Sequence, residues 1–347
     1  MLCVGKRGNV SYSQFVKKFT PSRLRICHAS VLGCVAFCAI TILPSAVSAS
    51  TPQPPRQRRP MRSKPTQSVL HACGHGISLT VSSPAPTQGS LLLLELRSAK
   101  PLAELQGAWT EKEIPFWREK KDSQKGAEVW RALLGLDLEL KSGVYTFTVK
   151  GKTADSENVS CAAGIGVREG KFATERLSVA PNFVEPNPEQ LARAEAERQK
   201  LRAIFATITP ERLWQGSFRL PLDGAYAGSN FGKRRILNGQ AGSPHGGADF
   251  PAPAGTPVYA AQRGRVVLAE PLYFSGNTVV LDHGLGLYTF YGHFESIAVQ
   301  AGDLVETGAL LGKVGATGRV TGPHLHWGLT VNRARVNPIQ LLALFRK

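Results

Sequence analysis

Five of the eight histidines crowd the last part of the chain: His245, His283, His293, His324 and His326. Two of their spacings suit metal chemistry. His324-Leu325-His326 places two imidazoles two residues apart, and residues two apart on a strand point to the same face. Both rings can then enter one cavity while Leu325 turns into a core. His245-Gly246-Gly247-Ala248-Asp249 sets an imidazole and a carboxylate four apart. The two glycines are expected to let the backbone turn sharply, so that both side chains converge. Three nitrogen and oxygen ligands with one position left open make a catalytic zinc site, whereas a closed structural site would want cysteines. Imidazole with carboxylate favours zinc over magnesium or calcium, which prefer mostly oxygen. Zinc held in this way lowers the pKa of water to about 7 and polarises an amide carbonyl.

Taken singly, either spacing is an ordinary strand or loop pair. Their company in one region gives them meaning, together with His293 in the strand-like run Tyr291-Gly292-His293-Phe294. His283 follows Asp282 at a strand end before Gly284 and reads as a turn residue, not a ligand. His71 and His75 flank Cys73, but no further ligand follows at a metal-binding spacing. No glutamate follows His245 in an HExxH arrangement, so the glutamate base of that motif is missing. A neutral His324 or His293 is left to move the proton.

The elements that must position these residues lie in 213–347. Glycine is dense there, and short apolar runs recur at Val258–Ala261, Arg265–Ala269, Thr278–Asp282, Leu287–Tyr291, Leu310–Val314 and His324–Val331. A helix is expected only at about Pro338–Phe345. This pattern predicts an antiparallel β domain. Its glycine-rich loops around 239–247 and 315–322 would wall a groove that admits an extended peptide. Residues 68–181 give strands such as Ile77–Val81, Leu91–Leu96 and Val144–Val149, and predict a β-sandwich-like domain with no catalytic cluster of its own. Between the two, residues 182–212 hold a proline-broken linker and a helix over Glu189–Ile208. Leu191, Ala194, Leu201, Ile204 and Phe205 form its apolar stripe. The chain is therefore mainly β.

The first 67 residues do not read as part of a core. Residues 1–49 carry six basic and no acidic side chains, an apolar stretch from about Ala29 to Leu43 and a small-residue run before Ser50. They read as a secretory signal peptide or, uncleaved, as an anchor. Residues 50–67 alternate prolines with arginines and read as an extended basic linker. Export suits the cysteines: four of the six lie within 1–49, and Cys73 and Cys161 are expected to pair.

Of the 347 residues, 42% are hydrophobic and 19% charged, which excludes a disordered chain. No fixed period suggests a solenoid. Only one stretch approaches a membrane span, which excludes a polytopic membrane protein. The net charge is +17, and removal of 1–49 leaves 36 basic against 25 acidic residues. In an exported protein that excess suits anionic cell-wall polymers or lipid head groups. No basic helix, zinc finger or aromatic–basic motif supports a nucleic-acid partner.

Over roughly 217–340 the sequence resembles the M23 family, the lysostaphin-like zinc metallopeptidases of peptidoglycan. Ser229-Asn230-Phe231-Gly232-Lys233-Arg234 resembles the family's opening motif. His245 to Asp249 matches its HxxxD, and Tyr291-Gly292-His293 its short histidine strand. The stretch from Gly315 to Gly328, which contains Gly322-Pro323-His324-Leu325-His326, is similar to its most diagnostic segment. The resemblance implies one Zn2+ per chain held by His245, Asp249 and His326, with His293 and His324 as catalytic histidines that do not bind the metal. It implies a peptidoglycan endopeptidase; with the export signal this places the chain in the periplasm or cell envelope, associated with the wall or, if the leader is uncleaved, anchored in the inner membrane. The alternative is a non-catalytic, wall-binding regulator of other peptidoglycan hydrolases. Its expected mark is loss of one of the five residues, and all five are present.

Overall fold

The computed structural model describes residues 68–74, 76–119, 127–224 and 230–345. The expected signal peptide, the basic linker, His75 and Ser229 lie outside the described residues. Among those that are described, no helix is long and apolar enough to cross a membrane.

Nine strands come first: β1 (Val69–Gly74), β2 (Ile77–Val81), β3 (Leu91–Ser98), β4 (Leu102–Trp109), β5 (Lys112–Ile114), β6 (Phe116–Arg118), β7 (Glu128–Gly135), β8 (Gly143–Thr153) and β9 (Asn158–Val167). They form two antiparallel sheets, ordered β1-β2-β3-β7-β6 and β5-β4-β8-β9. The period of two explains the layers. On β9, Val159, Cys161, Ala163, Ile165 and Val167 are buried while every residue between them is exposed. They meet Leu79, Leu94, Leu96, Phe147 and Val149 between the sheets. Cys73 of β1 and Cys161 of β9 are joined by a disulfide across the two layers, 88 residues apart in sequence.

β3 breaks the alternation, and for a physical reason. Leu92, Leu94 and Leu96 face the sandwich core, while Leu91 on the opposite face joins a second core with Leu133, Val331, Ala334, Leu341 and Leu342. Where both faces are covered, at the start of β3, the strand reads as a continuous apolar run, and from Glu95 and Arg97 onward it returns to alternation. Each fully buried leucine stabilises the fold by about 1.5–3 kcal/mol. Polar bonds reinforce this seam, including Leu91 N–H to Gln340 Oε1 at 2.6 Å and Asn332 Nδ2 to the Leu133 carbonyl at 3.0 Å.

After the sandwich come β10 (Thr174–Leu177) and α1 (Pro188–Ala206). Asn187 caps α1: its side chain accepts from the Gln190 N–H, and the Gln190 side chain accepts from the Asn187 N–H. Leu201, Ile204 and Phe205 pack on Leu268, Leu272, Val280 and Tyr288. Ala194 is buried, but Leu191 is 53% exposed, so the packing stripe is shorter than the sequence pattern suggests. Near its start the helix still meets the sheet, where Arg193 donates to the Pro271 carbonyl at 3.3 Å and Glu197 accepts the Tyr273 N–H at 2.7 Å.

The remaining strands are β11 (Arg234–Leu237), β12 (Gln240–Ala241), β13 (Gly247–Pro251), β14 (Pro257–Tyr259), β15 (Gly264–Leu272), β16 (Gly276–Asp282), β17 (Leu287–Ile297), β18 (Leu304–Val305), β19 (Leu310–Val314), β20 (His324–Val331) and β21 (Ala334–Val336), followed by α2 (Pro338–Leu344). Their main sheet runs β13-β20-β17-β16-β15-β18, with neighbours antiparallel. β10 pairs in parallel with β11, which carries the stretch after the sandwich to the side of this sheet.

Candidate active site

The register of three neighbouring strands builds the site. On β20, Leu325 and Trp327 point into the core and are fully buried, so His324 and His326 share the opposite face. Asp249 on β13 is the register partner of His326, and Gly292 on β17 is its partner on the other side. His245 lies two residues before β13. The chain needs no left-handed turn at Gly246 or Gly247 to bring it round; positive-φ glycines do not include either. The sequence-based reason for Gly247 is therefore corrected. A Cβ there would lie 2.7 Å from the His326 ring and 2.6 Å from the Trp327 carbonyl oxygen. Gly247 makes room for a ligand ring and not for a bend.

Three donor atoms converge. His245 Nε2 lies 2.9 Å from Asp249 Oδ1 and 2.9 Å from His326 Nδ1, and His326 Nδ1 lies 2.8 Å from Asp249 Oδ1. The Nδ1–H of His245 donates to the Asn230 carbonyl at 2.9 Å, so the neutral ring turns the Nε2 lone pair inward. With both inward nitrogens unprotonated, these atoms are acceptors that repel one another unless a cation sits among them. Two imidazole nitrogens and a carboxylate oxygen are the donor chemistry that zinc takes. The residues therefore fit the metal. Burial opposes the charge of Asp249, yet hydrogen bonds and positive charge from His245 and His326, when those rings carry a proton on the inward nitrogen, hold its carboxyl far below the usual carboxylate range. Burial likewise pushes the His326 pKa down, keeping the ring in the neutral form a metal needs.

A supporting layer fixes the carboxylate. Asn230 accepts the Asp249 N–H at 2.9 Å through Oδ1 and donates to Asp249 Oδ2 at 3.1 Å through Nδ2. Arg235 Nη2 donates to the same Oδ2 at 3.0 Å. Gly232 lets the turn after Asn230 close: its φ is +77°, and a Cβ would stand 2.2 Å from the Phe172 ring.

His293 and His324 stand beside this cluster, their rings 4.8 Å apart between centroids. His293 sits on a bulge of β17, where the register against β16 slips between Asn277 and Val279, and its φ is +67°. A non-glycine residue in this region costs of order 1–3 kcal/mol, and such bulges re-aim a side chain. Its Nδ1–H donates to the Thr317 carbonyl at 2.8 Å, and that of His324 to the Gly322 carbonyl at 2.8 Å. Both rings thus present Nε2. For His324 this atom is 3.8 Å from Asp249 Oδ1. Burial first, then neighbouring His326 and His324, pushes the His293 pKa down to about 3.

His283 is elsewhere, fully buried, with Nδ1 2.7 Å from the Arg263 carbonyl and Nε2 2.7 Å from the Thr289 hydroxyl. It is a core residue and not a ligand. His71 lies on β1 of the sandwich, away from the cluster. Two cavities, of about 250 and 190 Å³, open at the site and share Arg235, His293 and Arg319. Arg319 to Pro323 line the first, and Ser243 to Gly246 line the second. Glu175, Leu177 and Val179, from β10 and just beyond it, complete the first wall. The sequence offered no spacing that singled out Arg235, Arg319 or Glu175. Arg235 ends the basic run Lys233-Arg234-Arg235, Glu175 adjoins Arg176 and Arg319 stands alone, and only the fold reveals where each segment runs.

Residues 243–338 match the model of peptidase family M23. A putative M23 peptidase from Pseudomonas aeruginosa, known from its crystal structure, is 30% identical, with a TM-score of 0.56 over 75% of this chain and 96% of that one. The chain belongs to peptidase family M23. Among curated M23 relatives, the peptidoglycan DD-endopeptidase ShyC of Vibrio cholerae is 42% identical over 122 residues, 35% of this chain and 28% of that protein. The DD-carboxypeptidase/endopeptidase Mpg of Neisseria meningitidis is 39% identical over 97 residues, 28% of this chain and 22% of that protein. The chain thus spans less than a third of the length of these relatives. The M23 match includes all five histidine and aspartate positions of the cluster, whereas Glu175, Asn230 and Arg235 precede it.

Proposed function

We propose that the chain is a zinc-dependent endopeptidase that hydrolyses cross-link or stem-peptide amides of bacterial peptidoglycan. The convergence of His245 Nε2, Asp249 Oδ1 and His326 Nδ1 carries this reading, because they would hold one ion and leave one side facing the groove. Bound zinc supplies Lewis acidity, acidifying water and polarising a carbonyl. The chain's residues do the rest. Asn230 and Arg235 hold the Asp249 carboxylate in place. His293 and His324, each fixed in one tautomer by a backbone carbonyl, present Nε2 to accept a proton from water and return it to the leaving amine. The groove walls orient an extended peptide past these atoms.

The reading places the protein in the cell envelope, where the polymer is, and the relatives named for peptidoglycan support that location. The basic composition suits an anionic wall. The presence of all five side chains in one cluster speaks against the non-catalytic regulator.

Purified protein with equimolar zinc, incubated with isolated peptidoglycan, should release peptides with new amine termini. Mass analysis of those peptides names the bond. Zinc-loaded protein that released nothing from walls of several chemotypes would overturn the proposal.

A further inference from the structure

We infer that Arg319, backed by Arg235, is a carboxylate-binding subsite that selects acidic peptides in the groove; the identity of that peptide as substrate rests on the endopeptidase reading. The two guanidinium groups stand where both cavities meet, beside His293. They differ in how their charge is met. Arg235 Nη2 pairs with Asp249 Oδ2 at 3.0 Å, and its Nε lies 3.7 Å from Glu175 Oε2 without a hydrogen-bond partner, although buried. Glu175 is itself engaged by Lys233 at 2.8 Å.

Arg319 has no such balance. It is half-buried, and among the described residues its guanidinium makes neither an ion pair nor a hydrogen bond. Its stacking partner is the Phe274 ring, 4.5 Å from the guanidinium carbon, and its backbone N–H donates to the Phe274 carbonyl at 2.8 Å. Burial and the like charge of Arg235 both weigh against the cation. A partly desolvated cation beside a second cation is costly unless an anion meets it. Phe274 holds the plane of the fork, and a planar fork binds a carboxylate through two parallel hydrogen bonds. The cavities that Arg319 lines are also lined by His245, His293, His324 and His326. An anion bound there therefore belongs to the same peptide that the histidines would act on. If Arg319 only propped the 315–322 loop through Phe274, the charge of the peptide would make no difference to binding.

The test is direct binding to the full zinc-loaded chain by calorimetry. The probes are the stem tripeptide L-Ala–D-Glu–diaminopimelate with free carboxylates and the same tripeptide with every carboxylate amidated. The free acid should bind about tenfold or more tightly. That preference should vanish in Arg319→Met and persist in reduced form in Arg319→Lys, each checked for an unchanged melting temperature. Equal binding of the two peptides by the unaltered chain sinks the subsite, and that comparison needs no variant. A preference that survives in Arg319→Met sinks it too, since the metal would then be reading the carboxylate. Peptide release from walls is followed in parallel. Release without a preference removes the subsite alone, and a preference without release removes the endopeptidase reading alone.

Discussion

Asp249 Oδ1 lies 2.8 Å from Nδ1 of His326, its register partner across β13 and β20, although 77 residues separate them in sequence. The hydrogen-bonded ladder between the two strands sets this distance. A shift of one residue in that register would turn His326 into the core and Trp327 into the groove. The buried Leu325 and Trp327 therefore protect the ligand geometry as much as the fold.

Gly247 supplies the first prediction. Its hydrogen faces the His326 ring, so Gly247→Ala must displace either that ring or the Trp327 carbonyl. Overpacking of this kind costs about 1–3 kcal/mol. Zinc affinity, read by chelator competition, should fall by at least tenfold, with a lowered melting temperature. Unchanged zinc affinity would mean the ring has freedom that the packing denies it.

His326→Ala and His293→Ala should separate binding from turnover. The first removes one of three converging donors and should abolish stoichiometric zinc. The second leaves those donors intact and should keep zinc while reducing turnover by about 10²–10⁴-fold, the usual worth of a positioned acid or base. Normal turnover by zinc-loaded His293→Ala would remove that histidine from the mechanism.

Acid should destabilise the fold through His283. Burial pushes its pKa from 6.5 down to about 4 in the folded chain. Below pH 6.5 the unfolded chain takes up a proton that the folded chain refuses until about pH 4, so stability is lost as the pH falls through that window. The loss attributable to this residue is up to about 3 kcal/mol. Melting temperatures of metal-free protein at pH 7 and pH 4.5 should differ less in His283→Gln than in the unaltered chain. An equal difference in both would remove His283 as the cause.

Reduction of the Cys73–Cys161 bridge should weaken the sandwich. The bridge closes a loop of 88 residues, for which chain entropy gives about 4–5 kcal/mol. Denaturant midpoints with and without reductant, compared with Cys73→Ser, measure the effect. If reduction leaves the midpoint unchanged while Cys73→Ser lowers it, the packing of the cysteine and not the cross-link matters.

Local pattern carried much of the molecule. The alternation at Ile77–Val81 and in β20 and the HxH pair are all short-range signals, because side-chain direction on a strand repeats every two residues. These signals sufficed for a mainly β chain, and they marked five residues that the fold brings close together. Leu191, which periodicity places on the apolar stripe of α1, is 53% exposed, since periodicity cannot say which positions of a helix find a partner.

Other features arose only from contacts between distant segments. That β3 buries Leu91 on its outer face depends on what that face meets more than two hundred residues later, at Gln340 and Leu341. The role of Gly247 depends on a ring supplied by β20, and the unbalanced charge of Arg319 on where Arg235 and Phe274 come to rest. The residue types and their local spacing determined which groups could grip a metal. Strand register and chain packing alone decided the distances between them, because a distance between remote residues is a property of the folded path and not of any stretch of sequence.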